Sequence, residues 1–77
     1  MAKTIVYSTQ VCPWCHRAKD FLREHSIEFE DKDVAEDLAA RNELLQKAGR
    51  LGVPVLDIDG TIIVGFDQQA IEKALNL

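Results

Sequence analysis

Cys12-Pro13-Trp14-Cys15 is the stretch of this chain that decides its fold. It follows the β-like run Thr4-Ile5-Val6-Tyr7 and opens an amphipathic helical run over residues 13–25. The chain has no other cysteine, and a bridge between these two closes too short a loop to restrict the unfolded chain. The pair is therefore predicted to be reactive rather than structural. The order strand, turn, C-x-x-C, helix is typical of a dithiol that opens and closes reversibly.

The same residues also contain Cys12-x-x-Cys15-His16, the string to which c-type haem attaches. Covalent haem requires an exported chain and usually a second axial ligand. The segment Met1-Ala2-Lys3 lacks the apolar region of a secretory signal, His25 is the only other histidine, and Met1 is the only methionine. Haem is therefore the weaker interpretation. A reactive thiol pair is instead expected in a reducing cytoplasm.

A zinc site is a second competing interpretation of the cysteines. It would have to use Cys12, Cys15, His16 and His25, whereas structural zinc requires four well-spaced ligands. A third interpretation is a pair of inert core thiols, since free cysteine is often buried. The start of a helix is an unusual place for an inert core thiol. We therefore predict no bound metal or other cofactor beyond the redox-active disulfide itself.

The bulk composition excludes several classes of protein. The chain has 77 residues, of which 47% are hydrophobic, so we expect one domain over residues 1–77 with a genuine core. Its net charge is −4 and it has no run of basic residues, which argues against nucleic acid as a partner. No apolar stretch reaches membrane-spanning length. A soluble monomer is the expectation.

The hydrophobic pattern predicts seven elements in the order β-α-β-α-β-β-α. Strands are expected near residues 3–8, 27–32, 53–58 and 61–65, and helices over 13–25, up to Ala48, and over 68–76. Asp59-Gly60 between alternating apolar residues predicts a two-residue hairpin between the last two strands. A β-α-β start with a hairpin end predicts an α/β fold, in which three helices flank a four-stranded mixed sheet.

Capping residues and apolar spacing orient the later helices. Asp33, followed by Glu36, is predicted to cap the second helix, and Gly49 to end it. Asp67 is predicted to cap the third helix. The inward-facing residues are expected to include Ile27 and Phe29 in the second strand and Leu38, Leu45 and Ala48 in the second helix.

The first helix assigns different roles to the two cysteines. Its buried stripe includes Cys15, Ala18 and Leu22, which leaves Cys12 at the mouth of the helix. Unpaired backbone N–H groups and the positive end of the helix dipole favour a thiolate there. We therefore predict that Cys12 attacks a substrate disulfide and that the shielded Cys15 resolves the product.

Several polar and aromatic residues lie in or near the first predicted helix. His16 and Lys19 are interpreted as solvated helix residues, although His16 could add positive charge near the thiol. Pro13 suits the first helical position, where its missing N–H costs nothing. Trp14 could pack on a bound partner, whereas Phe66 is expected to pack at the end of the sheet.

The element order β-α-β-α-β-β-α occurs together with three stretches: Cys12-Pro13-Trp14-Cys15, Val53-Pro54 and Val64-Gly65-Phe66-Asp67. On these features, the chain resembles the glutaredoxins over essentially its whole length. The short glutaredoxin-like proteins and NrdH-redoxins are the most similar in length. The resemblance implies a thioredoxin-like fold and a dithiol–disulfide oxidoreductase acting on protein or small-molecule disulfides, with ribonucleotide reductase among the candidate substrates. It also implies that Pro54 is a cis proline facing the dithiol and that Val53 offers backbone groups to substrate.

The electron donor is the open question that the resemblance raises. Its implied glutathione-contact positions are Thr9, Val53, Gly65 and Asp67. Typical glutaredoxins carry lysine at the position of Thr9, so weak glutathione use is expected, with a flavoprotein of thioredoxin-reductase type as donor. Some glutaredoxins instead bridge a [2Fe–2S] cluster between subunits, an alternative that Pro13 argues against.

Overall fold

A computed structural model describes residues 3–77 and contains the seven elements in the predicted order. Met1 and Ala2, on which the expectation about a secretory signal partly rests, lie outside this range. Among residues 3–77, no helix combines the length and apolar character needed to cross a membrane. The elements are β1 (Thr4–Ser8), α1 (Pro13–Glu24), β2 (Glu30–Asp33), α2 (Leu38–Ala48), β3 (Val55–Ile58), β4 (Thr61–Val64) and α3 (Gln68–Leu75).

The four strands form one mixed sheet in the order β2-β1-β3-β4. Strand β1 runs parallel to β2 and antiparallel to β3, which in turn pairs antiparallel with β4. At the centre, Val6 lies beside Asp31 on one side and Leu56 on the other. The predicted mixed sheet flanked by three helices is thereby confirmed. Strands β2 and β4 are its two edges.

Each face of the sheet has its own apolar core. Val6 and Leu56 pack with Leu22 of α1 and Ile71 of α3 on one face. On the opposite face, a cluster that includes Tyr7, Val55 and residues of α2 fills the space; its α2 members are Ala40 and Leu44. Leu22 is fully buried. Leu22→Ala should therefore lower the free energy of unfolding by about 2–5 kcal/mol, because apolar contacts are lost and a cavity is left behind.

The second strand is shorter and later than predicted. It spans Glu30–Asp33 rather than 27–32. Helix α1 ends in a tight turn in which Ser26 has a φ of 57°, and the Ile27 N–H donates to the Leu22 carbonyl at 2.9 Å. Ile27 and Phe29 do pack against the α1 core, as expected, but from the connection that precedes β2.

The predictions for α2 were partly wrong. Asp37, not Asp33, is its N-cap, and the Asp37 carboxylate accepts the Ala40 N–H at 3.1 Å. Leu38 and Leu45 are 68% and 46% exposed. Because the helix presents the i, i+4 pair Ala40 and Leu44 to the sheet, those leucines point away from it.

Several local predictions about turns and helix ends are confirmed. Gly49 ends α2 in the left-handed conformation, with a φ of 73°. Asp59 and Gly60 have φ values of 53° and 94°, which matches a two-residue turn of the type that joins hairpin strands. Asp67 caps α3 by accepting the Ala70 N–H at 3.1 Å. The hairpin and this cap fix the loop between β4 and α3.

A polar cluster that the sequence did not predict lies between α2 and the sheet. Lys47 donates to the Tyr7 hydroxyl at 2.7 Å, to Asp57 at 2.6 Å and to Glu43 at 3.3 Å. Tyr7 also donates to Glu43, which Lys32 contacts at 3.1 Å. Hydrogen bonds from Tyr7 and then Lys32 lower the pKa of Glu43 to about 2. These interactions pin α2 to β1 and β3.

Candidate active site

Cys12 is the N-cap of α1. Its backbone is extended, with φ −95° and ψ 110°, and its Sγ accepts the Cys15 N–H at 3.2 Å. Pro13 occupies the first helical position, as predicted, and is exposed. The Cys12 side chain is half-buried, so the sulfur is both reachable from solvent and bonded to a free amide of the helix. Such an amide favours a sulfur anion.

Cys15 lies directly behind Cys12 and is completely buried. Burial first, and then the hydrogen bond with Cys12, raises the pKa of the Cys15 thiol to about 12. Both cysteines are free thiols in this structure. The predicted asymmetry, with the outer sulfur at the helix mouth and the inner sulfur shielded, is therefore confirmed in geometry.

The Val53–Pro54 segment faces the dithiol. Its peptide bond is cis, as the resemblance implied. The Val53 carbonyl oxygen lies 4.0 Å from Cys12 Sγ, the outer limit for a thiol hydrogen bond. The Pro54 carbonyl accepts the Gly65 N–H at 2.8 Å. One chain of contacts thus joins Cys12, this segment and the glycine before α3.

Aromatic and cationic side chains form an exposed surface beside Cys12. Trp14 is 55% exposed, and the Arg17 guanidinium lies 5.3 Å from its ring centroid. The Phe66 ring is 6.3 Å from Trp14 and also packs edge-on against Phe21. Phe66 is therefore anchored in the sheet-end core, as predicted, while supporting the tryptophan.

Thr9 and Asp67 occupy separate positions around the site. Thr9 is half-buried immediately after β1 and lines a shallow groove of about 250 Å³ with Arg41 and Leu51. Asp67 is exposed at the start of α3 and touches a groove of about 480 Å³ that runs between β4 and α3. The Asp67 carboxylate already accepts a hydrogen bond from the helix it caps, which leaves its second oxygen for a ligand.

The His16 side chain has a backbone partner near the start of α1. Its Nε2 lies 2.8 Å from the Gln10 carbonyl, to which a protonated Nε2 donates. The ring is thereby tied to the loop before Cys12. The His16 backbone N–H donates to the Cys12 carbonyl at 3.2 Å, which continues the first turn of the helix.

Lys19 is a residue of α1 whose exposure was predicted wrongly. It was predicted to be solvated, yet only 7% of it is exposed. Its ammonium contacts Asp31 at 3.0 Å and Ser8 Oγ at 3.5 Å. The spacing of Lys19 from Cys15, one helical turn on the same face, was the available signal.

A family model described as Glutaredoxin matches residues 4–63. The chain belongs to the glutaredoxin family. Its relatives include an uncharacterized glutaredoxin-like 8.6 kDa protein in the rubredoxin operon of Clostridium pasteurianum, which is 44% identical over 70 residues, 91% of this chain and 93% of that protein. Glutaredoxin 3 of Escherichia coli strain K12 is 36% identical over 67 residues, 87% of this chain and 81% of that protein.

Solved structures place this glutaredoxin in the same fold. The thioredoxin-like protein BC3987 superposes with a TM-score of 0.88 and 35% identity, covering 94% of this chain and 99% of that one. The glutaredoxin from Archaeoglobus fulgidus gives a TM-score of 0.86 at 21% identity, which shows the shared fold alone.

Membership of the family supports a thiol–disulfide oxidoreductase role in general terms. The described part of the chain is consistent with that chemistry, since it holds two free thiols at a helix start. Within residues 3–77, no group of three histidine, cysteine, aspartate or glutamate side chains lies close enough to hold a metal ion.

Proposed function

We propose that this glutaredoxin reduces disulfides in two steps, with Cys12 as the nucleophile and Cys15 as the resolving thiol. The observation that carries the proposal is the 3.2 Å hydrogen bond from the Cys15 N–H to Cys12 Sγ, combined with the complete burial of Cys15. Only the outer sulfur is both accessible to a partner and hydrogen-bonded to an N–H group of the helix start. The inner sulfur can be reached only by Cys12.

In the first step, the Cys12 thiolate attacks one sulfur of a substrate disulfide. A new bond forms between that sulfur and Cys12 Sγ, the substrate S–S bond breaks, and the departing thiolate takes a proton from solvent. The leaving group is thus reduced to a thiol. The other half of the substrate stays attached to Cys12 as a mixed disulfide.

In the second step, Cys15 loses its proton and its sulfur attacks Cys12 Sγ. The mixed disulfide breaks, the second substrate sulfur leaves as a thiolate and is protonated, and a Cys12–Cys15 disulfide remains. The substrate has gained two electrons and the protein has lost two. A thiol or dithiol donor then returns the pair to the reduced state.

The surroundings of Cys12 support binding of an extended substrate strand. Val53 is half-buried and lies beside the sulfur with its backbone next to the site, so it can pair with a substrate main chain by strand addition. Trp14 offers an exposed ring for the side chains of that strand. Together they favour a disulfide within a polypeptide over a compact small molecule.

We further propose that glutathione is a poor donor and that a flavoprotein of thioredoxin-reductase type serves instead. The proposal rests on Thr9, which supplies no positive charge for a glutathione carboxylate. Thr9→Lys should raise the rate with glutathione by about tenfold, the value of one charged hydrogen bond. The rate with a flavoprotein reductase should change much less. Equal rates with both donors in the unaltered protein would contradict this assignment.

The two-step mechanism is tested by single-cysteine variants reacting with insulin disulfide. Cys12→Ser should lose all turnover. Cys15→Ser should perform the first attack and accumulate a mixed disulfide, visible as one added substrate half by mass spectrometry. Retained turnover in Cys12→Ser, or no trapped species in Cys15→Ser, would show that the roles are assigned wrongly.

A further inference from the structure

Lys19 is the least exposed charged residue among residues 3–77. The side chain of Lys19 is only 9% exposed, although it comes from the middle of a surface helix. Burying an ammonium group is costly unless it is paired. Here Asp31 Oδ2 accepts from the Lys19 ammonium at 3.0 Å, and Ser8 donates to the other oxygen of Asp31 at 2.7 Å. The three side chains form a closed polar cluster.

This cluster is built on the buried face of α1 that also holds the resolving thiol. Lys19 follows Cys15 by one helical turn, and both belong to the buried face of α1. Ser8 ends β1, and the next residue, Thr9, has its backbone against the Cys15 thiol. The Thr9 backbone and the positive charge of Lys19 are the two influences that favour the thiolate form of Cys15 against the effect of burial.

The second step of the proposed mechanism needs such a group. Cys15 must become a thiolate to attack Cys12 Sγ, yet its complete burial removes the water that would stabilise the anion. A fixed cation in a poorly solvated site acts more strongly on a neighbouring anion than it would in water.

Resting on the proposed function, we propose that Lys19 is a positioning residue that stabilises the Cys15 thiolate during resolution of the mixed disulfide. The ammonium keeps its protons throughout. Cys15 releases its proton to solvent before the attack and the departing substrate sulfur takes one up, so the step converts a thiol and a mixed disulfide into the Cys12–Cys15 disulfide and a substrate thiol. Asp31 pairs with the ammonium and offsets part of its charge, and Ser8 donates to Asp31.

The other elements around this cluster add little charge to it. On the same face of β2, Asp33 already accepts the N–H groups of Ala35 and Glu36. Strand β3 and helix α3 contribute the apolar residues Leu56 and Ile71 to this face.

Two further groups bear on the cluster from α1, Cys12 at its start and Arg23 farther along. Hydrogen bonds from Ser8 and Lys19 outweigh burial and hold the pKa of Asp31 below its usual value, which makes it a poor proton acceptor. Lys19 is therefore the group expected to govern the pH dependence of resolution.

The test separates the two steps by rapid quenching and mass spectrometry of the substrate adducts. Lys19→Met keeps the stem and removes the charge. It should slow resolution by about tenfold and move its pH profile to higher pH, as expected for loss of one neighbouring charge. In the Cys15→Ser background, the same change should alter the rate of the first attack by less than about twofold, since that step does not use the Cys15 thiolate.

Matched variants distinguish this role from a structural one. Arg23→Met removes an equal charge from an exposed position of the same helix and should leave resolution close to the unaltered rate. Asp31→Asn keeps an oxygen for Ser8 but no longer neutralises the ammonium, so resolution should become faster. A simple structural ion pair would instead make the Lys19 and Asp31 variants fail alike.

The proposal is overturned if resolution in Lys19→Met keeps its rate and pH profile, or if both steps slow equally. If Lys19→Met does not fold, Asp31→Asn decides: slower resolution contradicts the proposal and faster resolution supports it. Failure of the two-step mechanism itself would appear differently, as turnover that survives in Cys12→Ser.

Discussion

The backbone N–H of Cys15 donates a hydrogen bond to Cys12 Sγ at 3.2 Å, so the residue proposed to end the reaction also stabilises the sulfur that begins it. The first turn of α1 thereby places the two cysteine side chains in different environments. The outer sulfur accepts one N–H group of the helix start, whereas burial raises the pKa of the Cys15 thiol to about 12.

This difference predicts the pH dependence of resolution. A thiol whose pKa is raised stays protonated at neutral pH, and its thiolate fraction grows by about tenfold for each pH unit below that pKa. Burial, the largest cause of the raised pKa, does not depend on the Cys12 thiol, so the resolution rate of the unaltered protein should still be rising at pH 9, the ordinary cysteine value. Quenched single-turnover reactions at constant ionic strength measure it. A rate that levels off near pH 9 would show that Cys15 ionises like an ordinary cysteine.

The polar cluster under α2 predicts a specific loss of stability. Lys47→Met leaves Asp57, whose side chain is only 12% exposed, without its ion-pair partner. Removing one member of a well-buried pair typically costs about 3–5 kcal/mol, and the partial exposure of Lys47 places the expected loss at the lower end. Urea unfolding measures it.

Lys32→Met is the matched control for that experiment. Lys32 contacts only Glu43 within this cluster, and Glu43 keeps Tyr7 and Lys47 as partners when Lys32 is removed. The loss should therefore be clearly smaller. If the two lysine variants lose equal stability, the hub role of Lys47 is wrong.

Glu43 predicts how the fold responds to acid. Its pKa is about 2 in the folded state because Tyr7 and Lys32 donate hydrogen bonds to it, whereas the unfolded chain would give it the ordinary value of 4.5. A carboxyl group with a lowered pKa stabilises the fold above its unfolded value, and this contribution disappears as the pH falls toward the folded value. Stability should thus decrease between pH 4.5 and about 2.

Glu43→Gln checks the source of that decrease. The amide cannot ionise, so the variant should be less stable at neutral pH and should show a shallower loss on acidification. Thermal unfolding at a series of pH values gives both quantities. An identical acid dependence in the two proteins would assign the effect to other carboxyl groups.

Asp67 and Asp37 form a natural pair for separating capping from ligand binding. Each caps a helix through a 3.1 Å hydrogen bond, and replacement by alanine should cost about 1 kcal/mol at either position. Only Asp67 lies beside Gly65 and the proposed glutathione contacts. We expect Asp67→Ala alone to raise the KM for glutathione. A similar rise in Asp37→Ala would mean that stability, not contact, limits glutathione use.

Most of the architecture was accessible from sequence because local signals agreed with one another. The Asp59-Gly60 turn, the Gly49 helix end and the Cys12-Pro13 helix start each depend on a few neighbouring residues. The dithiol asymmetry followed from the same local reasoning, since helix period alone puts Cys15 inside.

The errors arose where distant partners decide the outcome. Lys19 is buried because Asp31, which is remote in sequence, lies opposite it across the sheet edge. The helical spacing from Cys15 places Lys19 on the buried face, but it does not reveal the partner that pairs with the charge there. Likewise, Leu44 rather than Leu45 faces the sheet because the cap at Asp37 and the contacts with β1 and β3 set the rotation of α2.

The two edge strands of the sheet, β2 and β4, differ in their capacity to pair with a strand of another molecule. Strand β2 reads Glu30-Asp31-Lys32-Asp33, and a row of charged side chains makes a poor template for a foreign strand. Strand β4 reads Thr61-Ile62-Ile63-Val64 and carries no charge. Fibril formation at high concentration should therefore start from the edge strand β4. The charged side chains of β2 should disfavour it at the opposite edge.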